Sequence, residues 1–176
     1  MNRRNAINSM VILSIGAAVF PGCSGKDDTV IKLKNFSLAG CEGNMLSQLT
    51  ETIIPKTNFI GAADVNAHEF TLLMVDDCYE PERQKKFTNG LKEFDKQVKN
   101  KYGNSFISCS PVQKKEWLTA LESKKDIPEE VIFFYETAKR HTVQAFTSSR
   151  EYMTGILKYN IIPGGDFKGC VPVKKA

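Results

Sequence analysis

The sequence predicts an all-α fold: a single compact domain of about five to six helices with an irregular C-terminal tail, preceded by a signal peptide and a tether. Three observations carry this expectation. Apolar residues recur at helical spacing in successive segments between Leu46 and Leu157. Proline residues and capping signals divide those segments from one another. No segment alternates apolar and polar residues with period two for long enough to require a sheet.

The elements follow in order. Leu46, Leu49, Ile53 and Ile54 mark a first helix, and Pro55 ends it. Asp64 is placed to cap a second helix running to about Cys78, with Phe70, Leu73 and Met74 turned inward. Pro81 suits the first turn of a third helix, where Phe87, Leu91, Phe94, Val98 and Tyr102 step by 4, 3, 4 and 4 into one apolar stripe. Gly103 suits its end. Ser110-Pro111-Val112-Gln113 reads as a capping box with proline at the first helical position, opening a fourth helix that carries Trp117, Leu118 and Leu121. Pro128 opens a fifth helix with Val131, Phe134, Tyr135 and Ala138 inward. Ser148 or Ser149 caps a short sixth helix holding Tyr152, Ile156 and Leu157. After Asn160 the glycines and prolines of Pro163-Gly164-Gly165 and Pro172 forbid a continued helix.

The N-terminus addresses the compartment. Arg3-Arg4 precede an apolar run, Met10 to Phe20, of 11 residues, and Pro21-Gly22-Cys23 follows. This is the layout of a secretory signal, and it is too short for a membrane-spanning helix, which needs about 20 residues. The adjacent arginines suggest the twin-arginine route, with the general secretory route as the alternative. Cysteine after Gly22 suggests cleavage there and lipid on Cys23. The expected division is residues 1–22 as signal peptide, 23–44 as lipid-anchored tether and 45–176 as helical domain. The expected location is the periplasm or cell envelope, lipid-anchored to a membrane.

The formal charge of the whole chain is +4, and loss of Arg3 and Arg4 with the signal would leave 22 basic against 20 acidic residues. The lysine pairs Lys85-Lys86, Lys114-Lys115 and Lys124-Lys125 lie on separate segments. That is no concentrated basic patch, so nucleic acid is not an expected partner. With Cys23 taken by lipid, Cys41, Cys78, Cys109 and Cys170 form an even set suited to an oxidising compartment. Their spacing alone leaves all pairings open.

The residues carry little catalytic chemistry. His68 and His141 lack the spacing of a metal motif. Asp76-Asp77 could serve acid–base work, but adjacent helical residues do not share a face, so one is expected packed and the other solvated. His141, beside Arg140 near a helix end, suits a favourable dipole placement. Phe133-Phe134-Tyr135 reads as core, and Gly164-Gly165 lacks the strand and helix of a phosphate loop. No flavin, nicotinamide or haem-attachment fingerprint is present, so no cofactor is expected in this chain.

From Leu46 to Pro172 the chain resembles the family of gluconate 2-dehydrogenase subunit 3, the small subunit of a membrane-bound enzyme. The resemblance rests on Leu49-Thr50-Glu51-Thr52-Ile53-Ile54-Pro55, on Gly61-Ala62 with Phe70, and on Gly90-Leu91 with Phe94-Asp95. It continues through Tyr102-Gly103, Phe106, Ser110 to Gln113, Phe133-Phe134 and Thr142 to Ser148, and closes on Pro163-Gly164 with Gly169 to Pro172. Ala145 departs from it, standing where the family is expected to have glycine. The resemblance implies a non-catalytic accessory subunit that stabilises, exports and tethers a flavoprotein sugar or polyol dehydrogenase. FAD and haem would then reside in partner subunits: the flavoprotein large subunit and a c-type cytochrome. It also implies cysteines at Cys78 and Cys170. A Cys78–Cys170 bridge would pin the irregular tail, and Cys41–Cys109 is the weaker candidate pair. Two other functions compete: a free-standing envelope lipoprotein acting as a binding or scaffold module, and an independent enzyme using Asp76, Asp77, His68 or His141.

Overall fold

The computed structural model describes residues 30–159. The signal residues Arg3 and Arg4, the lipid candidate Cys23 and the tail with Cys170 lie outside them. Strands β1 (Val30–Lys32) and β2 (Ser37–Ala39) form an antiparallel hairpin, with Val30 opposite Ala39 and Lys32 opposite Ser37. Five helices follow: α1 (Gly40–Ile53), α2 (Ala67–Cys78), α3 (Pro81–Tyr102), α4 (Pro111–Ser123) and α5 (Glu129–Ser148). A five-residue π-helical turn, Tyr152–Ile156, comes after α5. The described chain is therefore mostly helical, and none of its helices is long and apolar enough to cross a membrane.

The helix α3 organises the bundle. Phe87, Leu91, Phe94 and Val98 are all fully buried along the stripe that their spacing draws. Phe94 sits at the centre, with ring centroids 5.0 Å from Phe106, 5.4 Å from Phe134 and 6.1 Å from Trp117, all edge-on. One side chain of α3 thus touches α4, α5 and the turn between α3 and α4. Edge-to-face packing of this kind adds about 0.5–1.5 kcal/mol per pair beyond area burial. Met45, Leu46 and Leu49 of α1, with Leu72 and Val75 of α2, complete the core.

The helices α3 and α5 cross closely because Gly90 has no side chain. A Cβ there would lie 2.2 Å from the Glu130 carbonyl oxygen and 2.7 Å from the Phe134 Cβ. The ends are built as the sequence predicts. Gly103 closes α3 at φ 76°. Ser110 Oγ accepts from the Gln113 N–H, while Gln113 Oε1 accepts from the Ser110 N–H at 2.9 Å. Asp95 fixes the turn after α3: its carboxylate accepts from Ser105 Oγ at 2.6 Å and the Phe106 N–H at 3.0 Å, and pairs with Lys99 at 2.7 Å. Burial opposes its ionisation, but these partners hold the carboxyl below the usual range.

Three expectations need correction. Residues 30–44 are not all tether: they form the hairpin and the first turn of α1, with Leu38 buried against the core. Three-residue strands are too short to show a period, and the turn between them is held from α2, far along the chain. Asp64 does not cap α2; it lies in a short 3₁₀ turn and accepts from the Gly61 N–H and Lys56 Nζ, while Asn66 precedes the helix. On α2 the large apolar residues that are buried are Leu72 and Val75, whereas Leu73 is 53 % exposed and Phe70 and Met74 are half-buried. The run Phe70–Val75 is apolar at almost every position, so its pattern did not fix the rotation of the helix. The short sixth helix is present, with its last five residues as the π turn Tyr152–Ile156, and Ser149 caps it as the sequence predicts, its Oγ accepting from the Tyr152 N–H; Ile156 and the following Leu157 are exposed.

Gly90→Ala tests the crossing. Alanine favours an isolated helix by about 1 kcal/mol. Here overpacking against backbone should outweigh that, with a net loss of about 1–3 kcal/mol read as a lower denaturation midpoint. A midpoint raised by the substitution would contradict the close crossing.

Candidate functional site

The end of α2 and the start of α3 form a polar knot. Asp76 is buried, and its two carboxylate oxygens accept the backbone N–H groups of Lys34 at 2.9 Å and Asn35 at 2.8 Å. Asn35 Nδ2 returns a hydrogen bond to the Asp76 carbonyl at 2.8 Å. Gln84 Nε2 reaches back from α3 to the carbonyls of Val75, Asp76 and Tyr79 at 3.2, 2.8 and 3.0 Å. These are carbonyls that a helix end leaves without intrahelical partners. Asp76 is therefore a clasp between the hairpin turn and α2, and Asp77 beside it is exposed. The pair does not converge on one site.

His141 lies beneath the knot. It is 5 % exposed, its Nε2 is 3.0 Å from Tyr79 Oη and its Nδ1 is 3.1 Å from Gln144 Oε1. Gln144 Oε1 can only accept, so the proton sits on Nδ1 and Tyr79 donates to Nε2. Phe70 and Tyr79 stand edge-on to the ring at centroid distances of 6.3 and 5.8 Å. Burial lowers the pKa of His141, with Gln144 opposing and Arg140 reinforcing the shift. A neutral imidazole inside the fold replaces the expected charged residue at a helix end. His68 is half-buried at the start of α2, its Nδ1 has no hydrogen-bond partner, and burial lowers its pKa. The two histidines and Asp77 do not share a cluster; among the described residues no group of three potential metal ligands comes together.

The outer side of the knot carries a stacked cation. The Arg83 guanidinium lies 4.6 Å from the Tyr79 ring centroid and 5.5 Å from that of Phe133. Lys86 Nζ is 5.2 Å from the Phe133 centroid and pairs with Glu129. Of the run Phe133-Phe134-Tyr135, Phe134 and Tyr135 are buried core, whereas Phe133 is half-buried and faces Arg83. Sequence reasoning missed Arg83. Its only local mark is the four-residue step from Tyr79, and Phe133 comes from a distant helix. An open cleft of about 200 Å³ lies elsewhere, lined by Cys41, Met45, Leu91, Lys92, Asp95 and Lys99 among others. Both of its carboxylates are already occupied, Asp95 by the turn it fixes and Glu42 by the Ala39 N–H at 2.9 Å.

Cys41 and Cys109, the weaker candidate pair, are separate free thiols in this structure. Cys109 is buried on the core and its thiol pKa is raised by burial. Cys78 is an exposed free thiol at the end of α2, and its expected partner Cys170 lies outside the described residues.

The family model for gluconate 2-dehydrogenase subunit 3 matches residues 41–164. No curated protein and no solved structure matches the chain.

Two measurements check the knot. Asp76→Ala should cost about 2–4 kcal/mol, since it strands two backbone donors, and should speed hydrogen exchange at the Lys34 and Asn35 amides. Unchanged exchange there would refute the clasp. The folded-state pKa of His141 lies below its unfolded value near 6.5. Its contribution is complete above about pH 6.5 and is lost as pH falls through the lowered folded value. The midpoint of thermal unfolding should therefore drop between neutral pH and pH 5 less steeply in His141→Gln than in the wild type. Parallel profiles would mean that His141 is not the group protonated.

Proposed function

This chain belongs to the gluconate 2-dehydrogenase subunit 3 family, and on that premise we propose that it is a non-catalytic accessory subunit of a flavoprotein sugar or polyol dehydrogenase. It stabilises the flavoprotein, accompanies its export and holds it at a membrane. The single observation that carries the reading is the family match, which spans the helical bundle from α1 through α5. The side chains agree with it. Asp76 and His141, the most buried of the candidate catalytic groups, are consumed in holding the hairpin and the α2–α5 contact. Their acceptor and donor atoms are turned to the chain's own backbone and neighbours.

The mechanism is mass action through an interface. A subunit that binds only the folded flavoprotein stabilises it by RT ln(1 + [L]/Kd), about 2.7 kcal/mol at a hundredfold excess over Kd. The dehydrogenase partner holds FAD, a c-type cytochrome carries haem, and this chain holds neither. Export begins at the Arg3-Arg4 signal, and lipid on Cys23 supplies the anchor. Oxidation of the exposed Cys78 thiol to a bridge with Cys170 would belong to an oxidising compartment.

Co-purification tests the reading. The chain extracted from native membranes should carry a flavoprotein, and the complex should oxidise a sugar or polyol. The isolated mature chain should show neither flavin absorbance nor turnover. Stoichiometric flavin, or dehydrogenase activity, in the chain alone would overturn the accessory role. Recovery from membranes without any flavoprotein would favour a free-standing lipoprotein. Cys23→Ser should release the chain from membranes or block its processing, because stable anchoring needs more than one acyl chain. A processed, membrane-bound Cys23→Ser product would contradict the lipid anchor.

A further inference from the structure

We infer that the Tyr79–Arg83–Phe133 face is the chain's docking point for a carboxylate side chain of its protein partner, an inference that rests on the accessory-subunit reading above. Arg83 is a cation without an anionic partner among the described residues. It is exposed, and it stacks on two rings. Nearby carboxylates do not take it. Glu80 stands one helical turn before it, and Asp77 and Glu82 are close in sequence, yet the guanidinium lies on the rings instead. Neighbouring Lys86, by contrast, is paired with Glu129.

The platform is also preorganised. The two rings hold the guanidinium carbon 4.6 and 5.5 Å from their centroids, and a guanidinium's planar fork of N–H donors matches a carboxylate in a bidentate pair. The platform is fixed from below. The Tyr79 hydroxyl is bonded to buried His141, and its carbonyl is bonded to Gln84. Phe133 is carried by α5, which Phe134 locks against α3 in the next position. Little side-chain freedom is then left to lose on binding, and that loss is a main cost of association. Arginine and tyrosine on a rigid aromatic base are also the residue types that dominate interface energetics.

Of the two cations that contact Phe133, Lys86 is paired with Glu129 and Arg83 is not, so this platform fits a single acidic side chain rather than an extended anionic surface. An anionic membrane would be drawn to clustered free lysines, and here the cation that contacts Phe133 besides Arg83 is paired.

The test uses the native complex and three variants: Arg83→Glu, Arg83→Lys, and Lys101→Glu as a charge-matched control at the opposite end of α3. Affinity for the co-purified flavoprotein is measured together with the melting temperature of each free chain and its binding to vesicles containing anionic phospholipid. Arg83→Glu should weaken the complex by at least about tenfold, Arg83→Lys by less, and Lys101→Glu hardly at all, with the free-chain melting temperatures of the Arg83 variants near that of the wild type. Equal affinity of wild type and Arg83→Glu would overturn the inference while leaving the accessory role standing. Wild-type affinity in Arg83→Lys would overturn the bidentate carboxylate. Unchanged complex affinity with lost vesicle binding would assign the face to lipid and overturn it as well. Absence of any flavoprotein from the wild-type preparation would bring down the accessory role and this inference with it.

Discussion

The close crossing of α3 on α5 is the constraint on which the rest of the structure depends. Gly90 lets the α3 backbone approach the Glu130 carbonyl, and this approach brings Phe87 to 5.1 Å and Phe94 to 5.4 Å from the Phe134 ring. Once Phe134 is seated, Phe94 has edge-on partners in Phe106 and Trp117, so α4 and its preceding turn have a place to pack. The same crossing sets the start of α5 beside the start of α3. It thereby brings Phe133 over Arg83 and the later turns of α5 under Tyr79. A local absence of a Cβ thus positions both the aromatic core and the outer face.

The second organising device is polar. The bundle joins its N-terminal hairpin to α2 through the Asp76 carboxylate, and joins the end of α2 to α3 through Gln84. Buried polar groups are costly unless satisfied, and here each oxygen of Asp76 has a backbone donor. His141 extends the arrangement inward as a neutral ring shared between Tyr79 and Gln144. At the far end of α2, small side chains take over. Ala62, Ala67 and Ala145 cluster with Phe70 beside them, so Ala145, standing where glycine is expected in the family, still permits a tight contact.

What the sequence disclosed follows the range of each interaction. The α3 stripe Phe87-Leu91-Phe94-Val98, the Ser110–Gln113 box and the Gly103 stop were legible, because helical periodicity and capping act within a few residues. The rotation of α2 was not, because Phe70 to Val75 are apolar almost throughout and any of several faces would satisfy the pattern. The hairpin was hidden because Asp76 holds it from 42 residues away at Lys34. Asp76-Asp77 was read correctly as one packed and one solvated carboxylate, although the packed one's partners were invisible. The outer face was least legible: Tyr79 lies in the extended link before α3 and Arg83 in its first turn, and Phe133 joins them only through the α3–α5 crossing.

The central claim is that this chain acts by binding and stabilising a flavoprotein rather than by chemistry of its own. The most direct measurement is the temperature at which the separated flavoprotein releases its flavin, followed by flavin fluorescence with and without added mature chain. The account predicts a release temperature that rises with chain concentration and saturates at one chain per flavoprotein. A release temperature independent of the chain would contradict it.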